Sequence, residues 1–98
     1  MLTQAQVRLR ARVSERQELC RQIKEVVVEQ MGLAAPPDWL TDDQLVIGGT
    51  TDVDSIDVIE VVVGLETRFG VRVADDQVTE LVTVNRIADF VEAQRSEA

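Results

Sequence analysis

Residues 54–69 read DSIDVIEVVVGLETRF, and this segment constrains the fold more than any other. Three consecutive valines, Val61-Val62-Val63, favour a strand by intrinsic preference. The spacing overrides that preference. Val58, Val61, Val62, Leu65 and Phe69 stand at i, i+3, i+4, i+7 and i+11, which is one face of an α-helix. Asp54 is a good N-cap, and Asp57 adds a second acid in the first turn, where the helix dipole favours it. Ile56, Ile59 and Val63 form a second stripe beside the first, so at 3.6 residues per turn the apolar arc covers about 220°. Glu66 interrupts it, and Asp57, Glu60, Gly64, Thr67 and Arg68 fill the polar remainder. An arc this wide needs two packing neighbours, or one neighbour and an exposed apolar patch. Gly70 ends the helix.

Two further helices are readable from the same period. Leu19, Ile23, Val26, Val27 and Met31 predict an amphipathic helix over about residues 15–31, stopped by Gly32. Cys20 lies beside this stripe as a small core residue. Thr83 caps a last helix with Val84, Ile87, Ala88 and Val91 on one stripe and Phe90 beside it. Before it, Val71-Arg72-Val73 is an extended link, and Asp75 or Asp76 caps a short helix through Val78, Leu81 and Val82. Between the first two helices, from Ala34 to about Asp54, no period survives. Pro36, Pro37 and Gly48-Gly49 are loop chemistry, and Asp42-Asp43 allows a short helical turn at most. Trp39, Leu40, Leu45, Val46 and Ile47 are candidates to pin this loop to the core. The expected fold is all-α: a small four-helix bundle, three longer helices plus one short, with a long loop between the first two.

The chain has 98 residues, no His, no Tyr, one Cys and one Trp. Without His there is no Ser-His or Cys-His nucleophilic centre, and one Cys allows no internal disulfide. No stretch reaches the roughly 18 apolar residues that span a bilayer. No signal peptide is evident, so the expected setting is cytoplasmic. The formal net charge of -8 is unevenly spread. Residues 1–24 hold six basic residues and two acids, whereas residues 25–98 hold four basic residues and sixteen acids. The acidic body argues against nucleic acid and anionic membranes and favours a partner with a basic patch. An acid-free, Arg-rich opening is also found in organelle transit peptides, but the plainer reading is a solvated tail or a prolongation of the first helix, with Leu9, Val13 and Cys20 extending its stripe. The expected organisation is a basic leader or helix extension over residues 1–14, one domain over 15–93, and a frayed end over 94–98.

Few residues offer chemistry. Asp52-Val53-Asp54-Ser55-Ile56-Asp57 suggests a calcium loop, but Ile56 stands at its fifth position, Asp57 where Gly is required and Val63 where Glu is required. No metal site is expected. Gly48-Gly49 lacks the Lys and helix start of a phosphate loop. Acid pairs such as Asp75-Asp76 read as solvated caps. Ser55 remains. On spacing alone it is one more small polar residue at a helix N-terminus. It has no base to activate it, but as an exposed hydroxyl at a helix start it is open to modification by another enzyme, and a phosphoryl group there would sit near the helix N–H groups.

Asp54-Ser55-Ile56-Asp57, continued by Val58-Ile59-Glu60-Val61-Val62-Val63-Gly64-Leu65-Glu66-Thr67-Arg68-Phe69-Gly70-Val71, resembles the Asp-Ser-Leu-Asp motif and following helix of the acyl carrier proteins. Thr83 to Val91 looks like the family's last helix, and Val26 through Gly32-Leu33 is similar to its first. The likeness covers roughly residues 15–93. It implies a carrier rather than an enzyme, with 4′-phosphopantetheine from coenzyme A attached to Ser55 and an acyl or aminoacyl group held as a thioester for fatty-acid, polyketide or related biosynthesis. Its implied partners are a phosphopantetheinyl transferase, a loading enzyme, and downstream synthases or transferases with basic docking patches. The carrier itself is expected to be a monomer. Asp54, Ile56, Asp57, Ile59, Glu60, Val63 and Glu66 become docking residues under this resemblance, with ordinary core packing as the alternative for Ile59.

The sequence departs from the common fatty-acid carriers in the loop Val46-Ile47-Gly48-Gly49-Thr50-Thr51-Asp52, in Arg68 and Arg72, and in the leader. These departures point to a specialised member, serving secondary metabolism, lipid modification or aminoacyl transfer. A second reading keeps the fold but not the arm: an unmodified acidic helical adaptor that binds a protein partner.

Overall fold

Thr3 starts the first helix with a reciprocal cap. Its side chain accepts from the Gln6 N–H at 3.1 Å, and its own N–H donates to Gln6 Oε1 at 2.8 Å. The computed structural model describes residues 1–43, Val46 and residues 56–97, without the side chains of Ile56, Asp57 and Glu97. Helix α1 runs Gln4–Met31 and α2 runs Ile56–Phe69. Helix α3 runs Val84–Glu97. Two short 3-10 helices, η1 (Pro37–Trp39) and η2 (Asp75–Glu80), precede α2 and α3. No strand occurs among the described residues, so the fold is an all-α bundle with one short helix and an added 3-10 turn.

Helix α1 begins at Gln4, so the first helix is prolonged beyond the 15–31 stripe, by more than two turns. The cap and a run free of Gly and Pro, rich in Gln, Ala, Arg and Leu, explain the added length. At its other end Gly32 adopts φ 63°, and Leu33 N–H closes onto the Val28 carbonyl at 3.0 Å, the left-handed termination that favours glycine. The short helix η2 is capped from Ala74 rather than Asp75 or Asp76. Ala74 N–H donates to Gln77 Oε1 at 2.9 Å, and both acids lie in the first turn. Thr83 caps α3, its hydroxyl accepting from Arg86 N–H at 3.1 Å.

The core is one cluster. Leu19, Cys20, Ile23, Val26 and Val27 of α1 meet Val58, Val61, Leu65 and Phe69 of α2 and Val84, Ile87, Ala88 and Val91 of α3. Leu81 and Val71 close it between α2 and α3. Val62 is only partly buried. Helix α1 packs on both α2 and α3. It lies antiparallel to α2: Arg68 pairs with Glu25 at 3.1 Å, and Gly64 lies against Val26 and Gln30. A Cβ on Gly64 would stand 2.9 Å from both Val26 Cγ1 and Gln30 Cγ, so glycine sets how closely the helices approach.

The loop after α1 is held at several points. Val46 is buried, and its N–H bonds the Val82 carbonyl at 2.8 Å. Leu40 is half-buried against the core. Trp39 does not pin the loop as expected: it sits in the 3-10 turn and is 75% exposed. Leu45 and Ile47 lie outside the described residues. The segment expected to fray is helical through Glu97, because Gln94 bonds both backbone groups of Arg72 and Arg95 lies over the Phe69 ring, 5.5 Å from its centre.

Candidate functional site

Helix α2 splits its apolar arc between inside and outside. Val58, Val61 and Leu65 are each 1% exposed, whereas Ile59 and Val63 are 52% and 53% exposed. Core packing is therefore excluded for Ile59. The split follows from geometry. Helix α1 packs along the first stripe and the buried cluster continues into α3, while the second stripe stays half-exposed.

Glu60 is exposed beside Ile59, while Glu66 is half-buried one turn beyond Val62. Glu66 has a structural duty that its sequence position did not reveal. One carboxylate oxygen accepts from the Val73 N–H at 3.0 Å and fixes the link after α2. That bond helps form a groove of about 410 Å³ between α2 and η2, lined by Val58, Ile59, Val62 and Val63 on one side and by Val73 and Val78 on the other. The sequence reading missed Val73 and Val78 as groove residues. Their only signal was apolar character near the chain's short helix, which serves the core equally well.

Among the expected site residues, Asp54 and Ser55 lie outside the described residues, as do the side chains of Ile56 and Asp57. Connectivity still places Ser55 directly before Ile56, the first residue of α2. The structure brings Ile59, Val63, Glu60 and Glu66 together on the outer side of α2. Arg68, a positive charge at the end of the same helix, turns to α1 instead. It joins a chain of ion pairs through Glu25 and Arg21 to Glu18, so its charge is compensated away from this face. Bonds from Arg21 and then Gln22 hold the Glu18 carboxyl down at about 2.

The other charged cluster joins α1 to α3. Arg16 pairs with Asp89 at 2.9 Å and Glu92 at 3.0 Å and donates to the Asn85 carbonyl at 3.0 Å. Burial works against the Arg16 charge, but the bonds to Glu92 and Asp89 outweigh it and raise its pKa. Cys20 is buried, and that burial, followed by the Asp42 charge, pushes its thiol pKa up. It is a packed thiol rather than a reactive one.

The phosphopantetheine attachment site family matches residues 21–91, a span that includes α2, the loop before it and most of α3. The chain belongs to the acyl carrier protein family. Members of this family are non-catalytic carriers with a phosphopantetheine attachment site, served by modifying and client enzymes. The chain is 35% identical to acyl carrier protein 5, chloroplastic, of Arabidopsis thaliana, over 87% of its own length and 59% of that protein. It is 32% identical to the acyl carrier protein of Campylobacter hominis over 76% of its own length and 91% of that protein. To the acyl carrier protein of Micrococcus luteus it is 31% identical over 86% of its own length and all of that protein. The carrier chain thus spans less than two thirds of the plant relative and nearly the whole of the two bacterial ones. No helix among the described residues is long and apolar enough to cross a membrane.

The residues present fit the prosthetic group that this family carries. A serine precedes the helix, and an open, valine-lined groove runs beside that helix's exposed stripe. An anion on Ser55 would adjoin the start of α2, the end at which the helix dipole favours negative charge.

Proposed function

We propose that Ser55 is the attachment hydroxyl for 4′-phosphopantetheine and that the outer face of α2 docks the enzymes that modify, load and unload the carrier. One observation carries the reading: Ile59 and Val63 are half-exposed on a helix whose first residue follows Ser55 directly. When attached, the arm supplies a terminal thiol that carries an acyl or aminoacyl group as a thioester. The chain's own part is binding and presentation. Residues 15–93 form the carrier domain in this reading. Ile56, Ile59 and Val63 supply the apolar contact. Asp54, Asp57, Glu60 and Glu66 supply negative charge around it, which steers basic partner surfaces and speeds encounter more than it tightens the complex. Val62, Val73 and Val78 offer apolar groove surface to a chain tethered at the start of α2. The proposed partners are a phosphopantetheinyl transferase, a loading enzyme and downstream acyl-transferring enzymes, and the proposed setting is cytoplasmic, which suits one buried free cysteine.

Intact mass tests the assignment. Coenzyme A and a broad-specificity phosphopantetheinyl transferase should add the mass of one arm, and Ser55→Ala should abolish the addition. An unchanged mass for the parent chain, with partner binding indifferent to Ser55, would instead make the protein an unmodified adaptor.

A further inference from the structure

Helix α1 outruns the bundle. Its 28 residues extend for about 42 Å, yet its first buried residue is Leu19. Everything before Arg16 is exposed. Ala5, Leu9 and Val13 fall within about 80° of one another on the wheel, on the side of α1 that from Leu19 onward meets the core. The buried stripe therefore continues past the end of the bundle with none of the described residues covering it: Leu9 is 63% exposed and Val13 48%. Arg8 and Arg12 flank this stripe on one side and Arg10 on the other. None of the three has an ion-pair partner among the described residues, and no acid occurs before Glu15.

The overhang and the last turns of α3 enclose an open groove of about 830 Å³, lined by Arg12, Glu15 and Arg16 on one side and Asp89, Glu92 and Arg95 on the other. This corner limits what can cover the stripe. A flat anionic bilayer pressed onto Leu9 and Val13 would meet the acidic end of α3. A second copy laid overhang to overhang would bring six unpaired arginines together, three from each chain. A narrow element of opposite charge meets neither obstacle.

We propose that the α1 overhang docks an acidic amphipathic helix of a partner protein. Its apolar side would continue the bundle by packing on Ala5, Leu9 and Val13, and its carboxylates would face Arg8, Arg10 and Arg12. The site is remote from the α2 face. Because α2 is antiparallel to α1, the start of α2 lies toward the C-terminal end of α1, and about eighteen residues of helix, or roughly 27 Å, separate Val13 from Met31. Docking at the overhang leaves the attachment end free, so its success or failure is independent of the Ser55 assignment.

The test uses the full, unmodified, nitrogen-15-labelled chain and a synthetic helical peptide with leucines on one face and glutamates on the other. Amide shifts should be confined to residues 5–19 and the last turns of α3. Leu9→Asp with Val13→Asp should weaken binding about tenfold or more without lowering the melting temperature. Arg8→Gln with Arg12→Gln should weaken it and flatten its dependence on salt. Both double variants should still accept the arm on Ser55 at the parent rate. The proposal is overturned by shifts centred on α2, by equal binding of a lysine-for-glutamate peptide, or by affinity indifferent to both double variants. Leu9- and Val13-dependent binding of phosphatidylglycerol vesicles without peptide binding would assign the overhang to membranes. A concentration-dependent dimer lost in Leu9→Asp with Val13→Asp would assign it to a second copy.

Discussion

The Asn85 side-chain amide donates to Asp43 Oδ1 at 2.9 Å and so ties the first turn of α3 to the loop that leads toward α2. The same residue donates its backbone N–H to the Asp42 carbonyl at 2.8 Å and accepts from Arg16 at its own carbonyl. Three separate parts of the chain meet at one asparagine. Asn85→Ala removes the side-chain links and keeps the backbone ones. It should cost about 0.5–1.5 kcal/mol in urea melts, the net range for a lost hydrogen bond. An unchanged midpoint would mean that water replaces these bonds without loss.

Gly64→Ala sets two effects against each other. Alanine in a helix interior gains about 1 kcal/mol over glycine. Here its Cβ would meet Val26 and Gln30 at 2.9 Å, and overpacking a tight contact costs about 1–3 kcal/mol. Gln30 can swing aside, but Val26 is buried and branched. The net expectation is a loss on the order of 1 kcal/mol, read by denaturant unfolding. A gain in stability would show that α1 and α2 separate easily.

Leu65 and Ile59 should separate stability from docking. Leu65→Ala should cost about 2–5 kcal/mol because the side chain is only 1% exposed. Ile59→Ala should leave the melt nearly unchanged and slow arm transfer or client binding. Equal destabilisation by the two would erase the distinction between the stripes.

Glu18 gives a pH signature. Its carboxyl is held at about 2 in the folded chain against an ordinary 4.5. A depressed acid contributes stability that is complete above its unfolded value and is lost as pH falls through its folded value. Urea midpoints of the parent chain and Glu18→Gln should therefore differ above pH 4.5 and converge as pH approaches 2. The carboxyl is solvent-exposed, so the effect is small and shrinks in salt. Parallel curves across this window would mean that the Arg21 contact does not persist in solution.

Cys20 should be silent to alkylating reagents in the folded chain and react as one thiol after unfolding, since it is buried with a raised pKa. Attachment of the arm should add one thiol that reacts without unfolding. Fast labelling of Cys20 in the unmodified native protein would show that α1 opens locally.

Sequence period carried most of the fold. The stripes on α1, α2 and α3 are buried where the spacing placed them because a 3.6-residue repeat fixes which side chains share a face. It could not say which of α2's two stripes faces inward, since that depends on neighbours tens of residues away along the chain but close in space. Arg16, Asp43 and Asn85 illustrate the same limit: no local spacing announces their meeting. The stripe Leu9, Val13 and Cys20 left a solvated tail and a prolonged first helix both open, and the Thr3–Gln6 cap marks where the helix starts. Asp54-Ser55-Ile56-Asp57 was legible as a motif through its resemblance, whereas the groove beside it needed η2 in place.

The exposure of Trp39 gives the molecule an optical property. It is the sole tryptophan and the chain has no tyrosine, so ultraviolet-excited emission comes essentially from one indole in the turn between α1 and α2. With three quarters of its surface open to water, that indole should emit far to the red and be readily quenched by iodide. Any partner that covers the turn will report itself as a blue shift, without a dye and without disturbing either end of the bundle.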